Sequence, residues 1–159
     1  MNKPTKQKGF TIIEVVLVLA IAGLIFLMVF IALPALQRNQ RDSQRKNDIG
    51  RLQTAIVSYQ SNNRNNLPAA DSGSWNAFAD TYLRPDGDTF DDPSFGPYVF
   101  TYSSTIVQPG DSDRVSDTGK IFVVGSSTCQ GDTVVGSTGT RKVSVLIKLE
   151  GGGVYCVNN

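Results

Sequence analysis

Three groups of side chains in this chain could do chemistry. Glu14 stands at the head of an apolar run that carries no charge from residue 15 to residue 36. An acidic side chain at the centre of a membrane helix costs about 2.5 to 3.5 kcal/mol, and less toward an end. Glu14 therefore either snorkels to the headgroups or meets a cation, and the nearest new cation would be the α-amino group made by cutting between Gly9 and Phe10. Cys129 and Cys156 are the only cysteines. In an extracytoplasmic domain they can pair, which contributes roughly 3 to 4 kcal/mol in the chain-entropy model; two buried free thiols are the alternative. Asp86, Asp88, Asp91 and Asp92 crowd a Pro- and Asp-rich loop. Such loops can hold calcium, but the spacing fails the EF-hand pattern, and a solvated loop is the simpler reading.

What is missing narrows the function classes. The chain has no histidine, so Ser-His and Cys-His nucleophile arrangements are ruled out, and two cysteines alone do not close a zinc site. The phosphate-cradling Gly-x-x-x-x-Gly-Lys-Ser/Thr pattern is absent. The expectation is a protein that is not an enzyme and needs no cofactor, calcium excepted. Charge is unevenly spread: residues 1–60 hold eight Lys/Arg against three Asp/Glu, and residues 61–159 hold seven against eleven. An acidic C-terminal part repels phosphate, so DNA binding by bulk charge is not expected of it.

These residues need elements to hold them. Residues 1–9 form a leader with Lys3, Lys6 and Lys8 and no acid, a cytoplasmic signature under the positive-inside tendency. Arg38, Arg41, Arg45 and Lys46 pull the other way from beyond the run; a small β-rich domain with both cysteines makes more sense outside, which settles a cytoplasmic N-terminus. Residues 15–36 would span about 33 Å as helix, enough for a bilayer core and too long for the apolar region of a cleavable secretory signal. A single-pass precursor in the cytoplasmic (inner) membrane follows.

The junction Lys8-Gly9-Phe10-Thr11-Ile12-Ile13-Glu14 resembles the class III leader junction of type IV pilins and pilin-like proteins, pseudopilins included. The resemblance implies cleavage after Gly9 by a prepilin peptidase, N-methylation of Phe10, and pairing of Glu14 with the Phe10 amine of a neighbouring subunit during assembly. Gly23 is similar to the helix-weakening glycine of these helices. Pro34 lies three residues later than the usual proline, so the stretch that melts on assembly would be residues 23–34.

Residues 37–48 are polar, rich in Gln, Arg, Lys and Asp, and continue the helix into water. They are read as a spacer, or as a surface on which Arg38, Arg41, Arg45 and Lys46 meet acidic groups of neighbouring subunits. Ile49, Leu52, Ile56 and Tyr59 then recur at helical spacing and should dock the head, the helix ending near Gln60. A short helix over 75–83, capped by Ser74, places Trp75, Phe78, Ala79, Tyr82 and Leu83 on one face. Strands are expected over 98–103, 120–125, 143–149 and 154–157, the last two as a hairpin through a flexible Gly151–Gly153 turn. One face of the 143–149 strand is fully apolar. Cys129 falls in a loop before that strand, and residues 108–118 read as an exposed, mobile connection. Asp92-Pro93-Ser94-Phe95-Gly96-Pro97-Tyr98 is loosely similar to an Asp-Pro-x-Gly-x-Pro-Tyr segment of major pseudopilins, some of which bind calcium nearby.

The expected fold is α+β: a long N-terminal helix, membrane-spanning in its first half and amphipathic in its second, packed on a small C-terminal antiparallel sheet. The domains are a leader (1–9), an assembly half-helix (10–36), a polar to amphipathic half-helix (37–60) and a head (61–159). The implied function is a filament subunit, a homo-oligomer with helical symmetry that forms an extracellular pilus for adhesion, motility or DNA uptake. Its partners would be the lipid bilayer, the prepilin peptidase and, indirectly, an assembly platform with its ATPases. A pseudopilin of a type II secretion-like system is the alternative within this class, and a membrane-anchored binding domain that never assembles is the alternative outside it.

Overall fold

The computed structural model describes residues 9–107 and 119–159. The lysines of the leader and the connection 108–118 lie outside the described residues, as does the side chain of Asp86. The chain divides into two compact units, Met1–Gln37 and Arg38–Asn159.

Helix α1 (Ile12–Asn62) is assigned as α-helix through both Gly23 and Pro34. Its first half is built from Leu, Ile, Val, Phe and Ala, which in lipid favour the one local structure that satisfies its own backbone. Its second half is richest in Gln and Arg, both good helix formers. The helix runs two residues past the expected Gln60. Arg64 and Asn65 then adopt φ of 53° and 62°, and the Asn65 N–H donates to the Gln60 carbonyl at 2.7 Å, a left-handed exit that suits asparagine.

The head has the expected α+β composition. Helix α2 (Ser72–Tyr82) starts earlier than expected, and its cap is Asp71, not Ser74: Asp71 Oδ1 accepts from the Ser74 N–H at 2.8 Å. A 3-10 turn (Pro85–Gly87) follows. Strands β1 (Asp91–Asp92) and β2 (Gly96–Pro97) make a minimal antiparallel pair inside what reads in sequence as loop. The main sheet contains β3 (Val99–Ser103), β4 (Lys120–Gly125), β7 (Val143–Lys148) and β8 (Val154–Asn158) in the order β3-β4-β7-β8. A separate hairpin, β5 (Ser127–Gln130) with β6 (Thr133–Gly136), was not anticipated. It places Cys129 on a strand where a loop was expected.

The four-stranded sheet is mixed. Strands β4, β7 and β8 run antiparallel, but β3 pairs parallel to β4, with Val99 opposite Lys120. A parallel return needs a connection of a dozen or more residues, and the stretch between β3 and β4 supplies it. One sheet face packs Ile121, Val123, Val145 and Ile147 against Ile49, Leu52 and Ile56 of α1 and Trp75 and Phe78 of α2. The other face gathers Phe122, Val124, Leu146 and Val154 with Val107 and with Val134 of β6. Strand β7 is thus covered on both faces, where sequence alternation suggests one. The outer edge of β3 is blocked by α2: Asn76 donates to the Phe100 carbonyl and accepts its N–H, each at 3.3 Å, and Ser72 Oγ accepts from the Tyr102 N–H at 2.9 Å. Unpaired strand edges recruit other strands, and two side chains here stand in for the missing neighbour.

Candidate processing site and the ionic clamp of the head

The junction residues are built around the start of α1. Gly9 and Phe10 are non-helical and exposed, Phe10 at 90%. Thr11 is the N-cap. Its carbonyl accepts the Val15 N–H at 3.3 Å, and its Oγ1 accepts the Glu14 N–H at 3.3 Å. Glu14 reaches back: its Oε2 accepts the Thr11 N–H at 2.9 Å and the Thr11 hydroxyl at 2.8 Å. This is a capping box, in which two otherwise unmatched amides at a helix start are satisfied reciprocally. Sequence reasoning weighed Glu14 as a snorkelling or charge-pairing group and missed this local role. The Thr-x-x-Glu spacing ahead of an apolar run was the available signal.

Beyond the box, α1 exposes apolar side chains on all sides, from Ile12 and Leu17 through Phe26 and Phe30 to Leu36. It is long and apolar enough to cross a membrane, and among the described residues none of its apolar window is buried. A helix hydrophobic all round needs an apolar surrounding. Gly23 has open space where a side chain would be.

The polar half of α1 holds the head by charge. Arg45 is fully buried. Its Nε and Nη2 donate to the two carboxylate oxygens of Asp92 at 2.6 and 2.9 Å, its Nη1 to Asp42 Oδ1 at 3.0 Å, and its Nη2 to Glu150 Oε1 at 2.8 Å. Arg41 grips the other side of Glu150, with Nε at 2.9 Å and Nη2 at 2.6 Å from Oε2. Asp42 in turn accepts the backbone N–H groups of Glu150 and Gly151 at 2.8 and 2.7 Å. A Cβ on Gly151 would stand 3.0 Å from Asp42 Oδ2, so the close approach itself calls for glycine. One turn further along, the buried Tyr98 hydroxyl donates to Asp48 Oδ2 at 3.1 Å.

The electrostatics follow this geometry. Hydrogen bonds from Arg41, then Arg45 and Ser94, outweigh burial and hold the Glu150 carboxyl down at about 2. Burial alone would lower the Arg45 guanidinium, but Asp92 and Glu150 carry it above its ordinary value. Burial raises Asp48 against the opposing Tyr98 hydrogen bond, and burial with the Asp48 charge raises the Tyr98 phenol.

Several sequence expectations change here. Arg41 and Arg45, proposed to meet acidic surfaces of neighbouring subunits, bind Asp42, Asp92 and Glu150 of their own chain, because the turn after β7 and the β1–β2 pair fold back onto α1. Arg38 and Lys46 remain exposed, Lys46 lying 5.8 Å from the Tyr155 ring centre. The Gly151–Gly153 turn, read as flexible, is tied to Asp42. Asp92 is taken up by Arg45, and Asp88 pairs with Arg51 at 3.0 Å. Among the described residues no cluster of His, Cys, Asp or Glu is arranged to hold a metal ion. Cys129 and Cys156 are joined in a disulfide, with their Cα atoms 5.9 Å apart.

Residues 4–30 match the family model described as the prokaryotic N-terminal methylation motif. The match covers the N-terminal segment alone, and no curated protein or solved structure matches the chain. Together with the long apolar helix, the motif agrees with the resemblance to type IV pilin-like proteins, and it supports a type IV pilin-like or pseudopilin precursor suited to membrane anchoring.

Proposed function

We propose that this chain is a type IV pilin-like structural subunit. A prepilin peptidase cuts it after Gly9 and Phe10 is N-methylated; α1 waits in the membrane and then packs with copies of itself into a filament core, heads outward. The observation that carries this reading is the methylation motif at residues 4–30, joined to a helix whose first half, through Leu36, exposes its apolar side chains on every side. Such a helix, once out of lipid, needs another apolar environment, and neighbouring helices provide one. A contact repeated along an axis without closing generates a helical fibre. The chain is the substrate of the processing reaction and catalyses nothing. Adhesion, motility or DNA uptake would follow from the head surface and from an assembly platform and its ATPases.

A pseudopilin is the second reading, favoured by the Asp92–Tyr98 stretch, whose two end residues both bind α1, through Arg45 and Asp48. Mass spectrometry of the surface-sheared fraction tests the main reading. A chain beginning at methylated Phe10 in long filaments is the expected result. An intact Met1 end would overturn both readings in favour of an anchored domain that never assembles, and a processed chain confined to short periplasmic fibres would favour the pseudopilin.

A further inference from the structure

We infer that Thr11 is a positioning residue for the processing reaction: its capping box with Glu14 stops α1 one residue short of Phe10 and keeps the Gly9–Phe10 peptide bond outside the helix. The inference rests on the processing step of the function proposed above and assigns a new role within it. Thr11 Oγ1 accepts the Glu14 N–H, while the Thr11 N–H and hydroxyl both donate to Glu14 Oε2 at 2.9 and 2.8 Å. The helix then begins at Ile12, and Gly9 and Phe10 stand exposed and non-helical.

The arrangement matters because of the residues upstream. Lys6, Gln7 and Lys8 are all good helix formers by type, and Gly9 is the one weak residue between them and Phe10. Without a cap, a helix can lengthen toward its N-terminus, recruiting the carbonyls of residues 8 and 9 as hydrogen-bond acceptors. A carbonyl engaged in that way has to be released from the helix before the peptidase can attack it. The cap removes that step. Both partners lie on the C-terminal side of the scissile bond, so the box survives the cut and holds the same helix start in precursor and product.

Thr11→Val keeps the branched shape and removes the oxygen, whereas Thr11→Ser keeps the oxygen and loses the methyl group. The full-length wild-type chain and each variant, in membrane vesicles with an active prepilin peptidase, are followed by the initial rate of appearance of the Phe10 end. In parallel, backbone chemical shifts of Gly9 and Phe10 are read in detergent-solubilised full-length chain. Loss of a cap corresponds to about a two- to thirtyfold change in the helix-start equilibrium. The Val variant should therefore be cut more slowly within that range, with Gly9 and Phe10 moving toward helical shifts, and the Ser variant should stay within about twofold of wild type. Equal cutting of wild type and the Val variant would overturn the inference and leave the proposed function standing. Equal slowing of the Ser and Val variants, with unchanged shifts, would assign Thr11 to direct recognition by the peptidase and also overturn it. A wild-type chain that is never cut would sink the proposed function itself.

Discussion

Arg45 on α1 and Asp92 on β1, 47 positions apart, meet through two hydrogen bonds of 2.6 and 2.9 Å with both side chains shut off from solvent. Removing one partner of a buried pair strands the other charge, at a cost of about 3 to 5 kcal/mol. Arg45→Ala should reach that range, because it leaves Asp42, Asp92 and Glu150 without their common cation. Asp92→Asn should cost less, since Arg45 keeps two carboxylates. Urea titrations of the purified chain in detergent check the order; an Asp92 variant weaker than the Arg45 variant would show that the β1–β2 contact dominates.

Acid should loosen the same clamp. Glu150 titrates at about 2 in the folded chain against an ordinary 4.5, so between those values the unfolded chain binds more protons than the folded one. Its stabilisation is complete above about pH 4.5 and disappears as pH falls through about 2. Asp71, lowered by the backbone N–H and then the hydroxyl of Ser74, acts in the same direction, whereas Asp48, raised by burial, acts against it. Glu150→Gln should be less stable than wild type at pH 7, and the difference should close as pH falls through about 2. Parallel stability curves for the two proteins across that range would contradict the assignment.

How much of this could be read from the residues differs by element. The apolar stripe of Ile49, Leu52 and Ile56 follows from helical periodicity, because burial of one face imposes it. Strands β4, β7 and β8 follow from their β-branched and apolar runs, whereas the burial of β7 on both faces does not show in its alternation. The clamp did not show itself because its buried positions, Asp42, Arg45 and Asp48, continue that stripe with charges. A search for apolar repeats passes over them, and only the partners, 47 to 109 residues away, reveal the pairing. Gly131-Asp132 between Gln130 and Thr133 was a legible two-residue hairpin signal. The parallel pairing of β3 depends on chain routing, to which local pattern is blind.

The β3 edge yields a further prediction. Asn76→Ala removes the side chain that pairs with both backbone groups of Phe100. Leaving buried backbone groups unmatched costs about 1 to 3 kcal/mol, and the freed edge becomes available to another strand. The variant should be less stable and should self-associate in sedimentation runs at concentrations where wild type does not. Asn76→Asp, which keeps the acceptor, should be intermediate.

The disulfide joins β5 to β8 across 27 positions, and the Cys129 N–H also donates to Asn158 Oδ1 at 3.2 Å. In the chain-entropy model a loop of that size is worth about 3 to 4 kcal/mol. Cys129→Ser with Cys156→Ser should lower stability by that amount and should first raise hydrogen exchange in β5 and β6, whose Val134 covers the second sheet face. Alkylation of both thiols in the wild-type chain without reductant would show that the bridge does not form.

Glu14 now has two roles to separate, a local cap and the charge pairing that the leader junction implies. Glutamine serves in a capping box as glutamate does but carries no charge, so Glu14→Gln should keep the start of α1 and insert into membranes normally. Glu14→Ala loses both functions, yet it should also insert, since it removes a polar group from an apolar helix. If charge pairing with the Phe10 amine drives assembly, both variants should be processed at Gly9 and should yield few or no sheared filaments, with the Ala variant cut more slowly. Full filament yield from Glu14→Gln, with loss only in Glu14→Ala, would place the whole requirement in the cap. Comparing processing and filament yield for the pair of variants therefore divides the carboxylate's two roles by experiment.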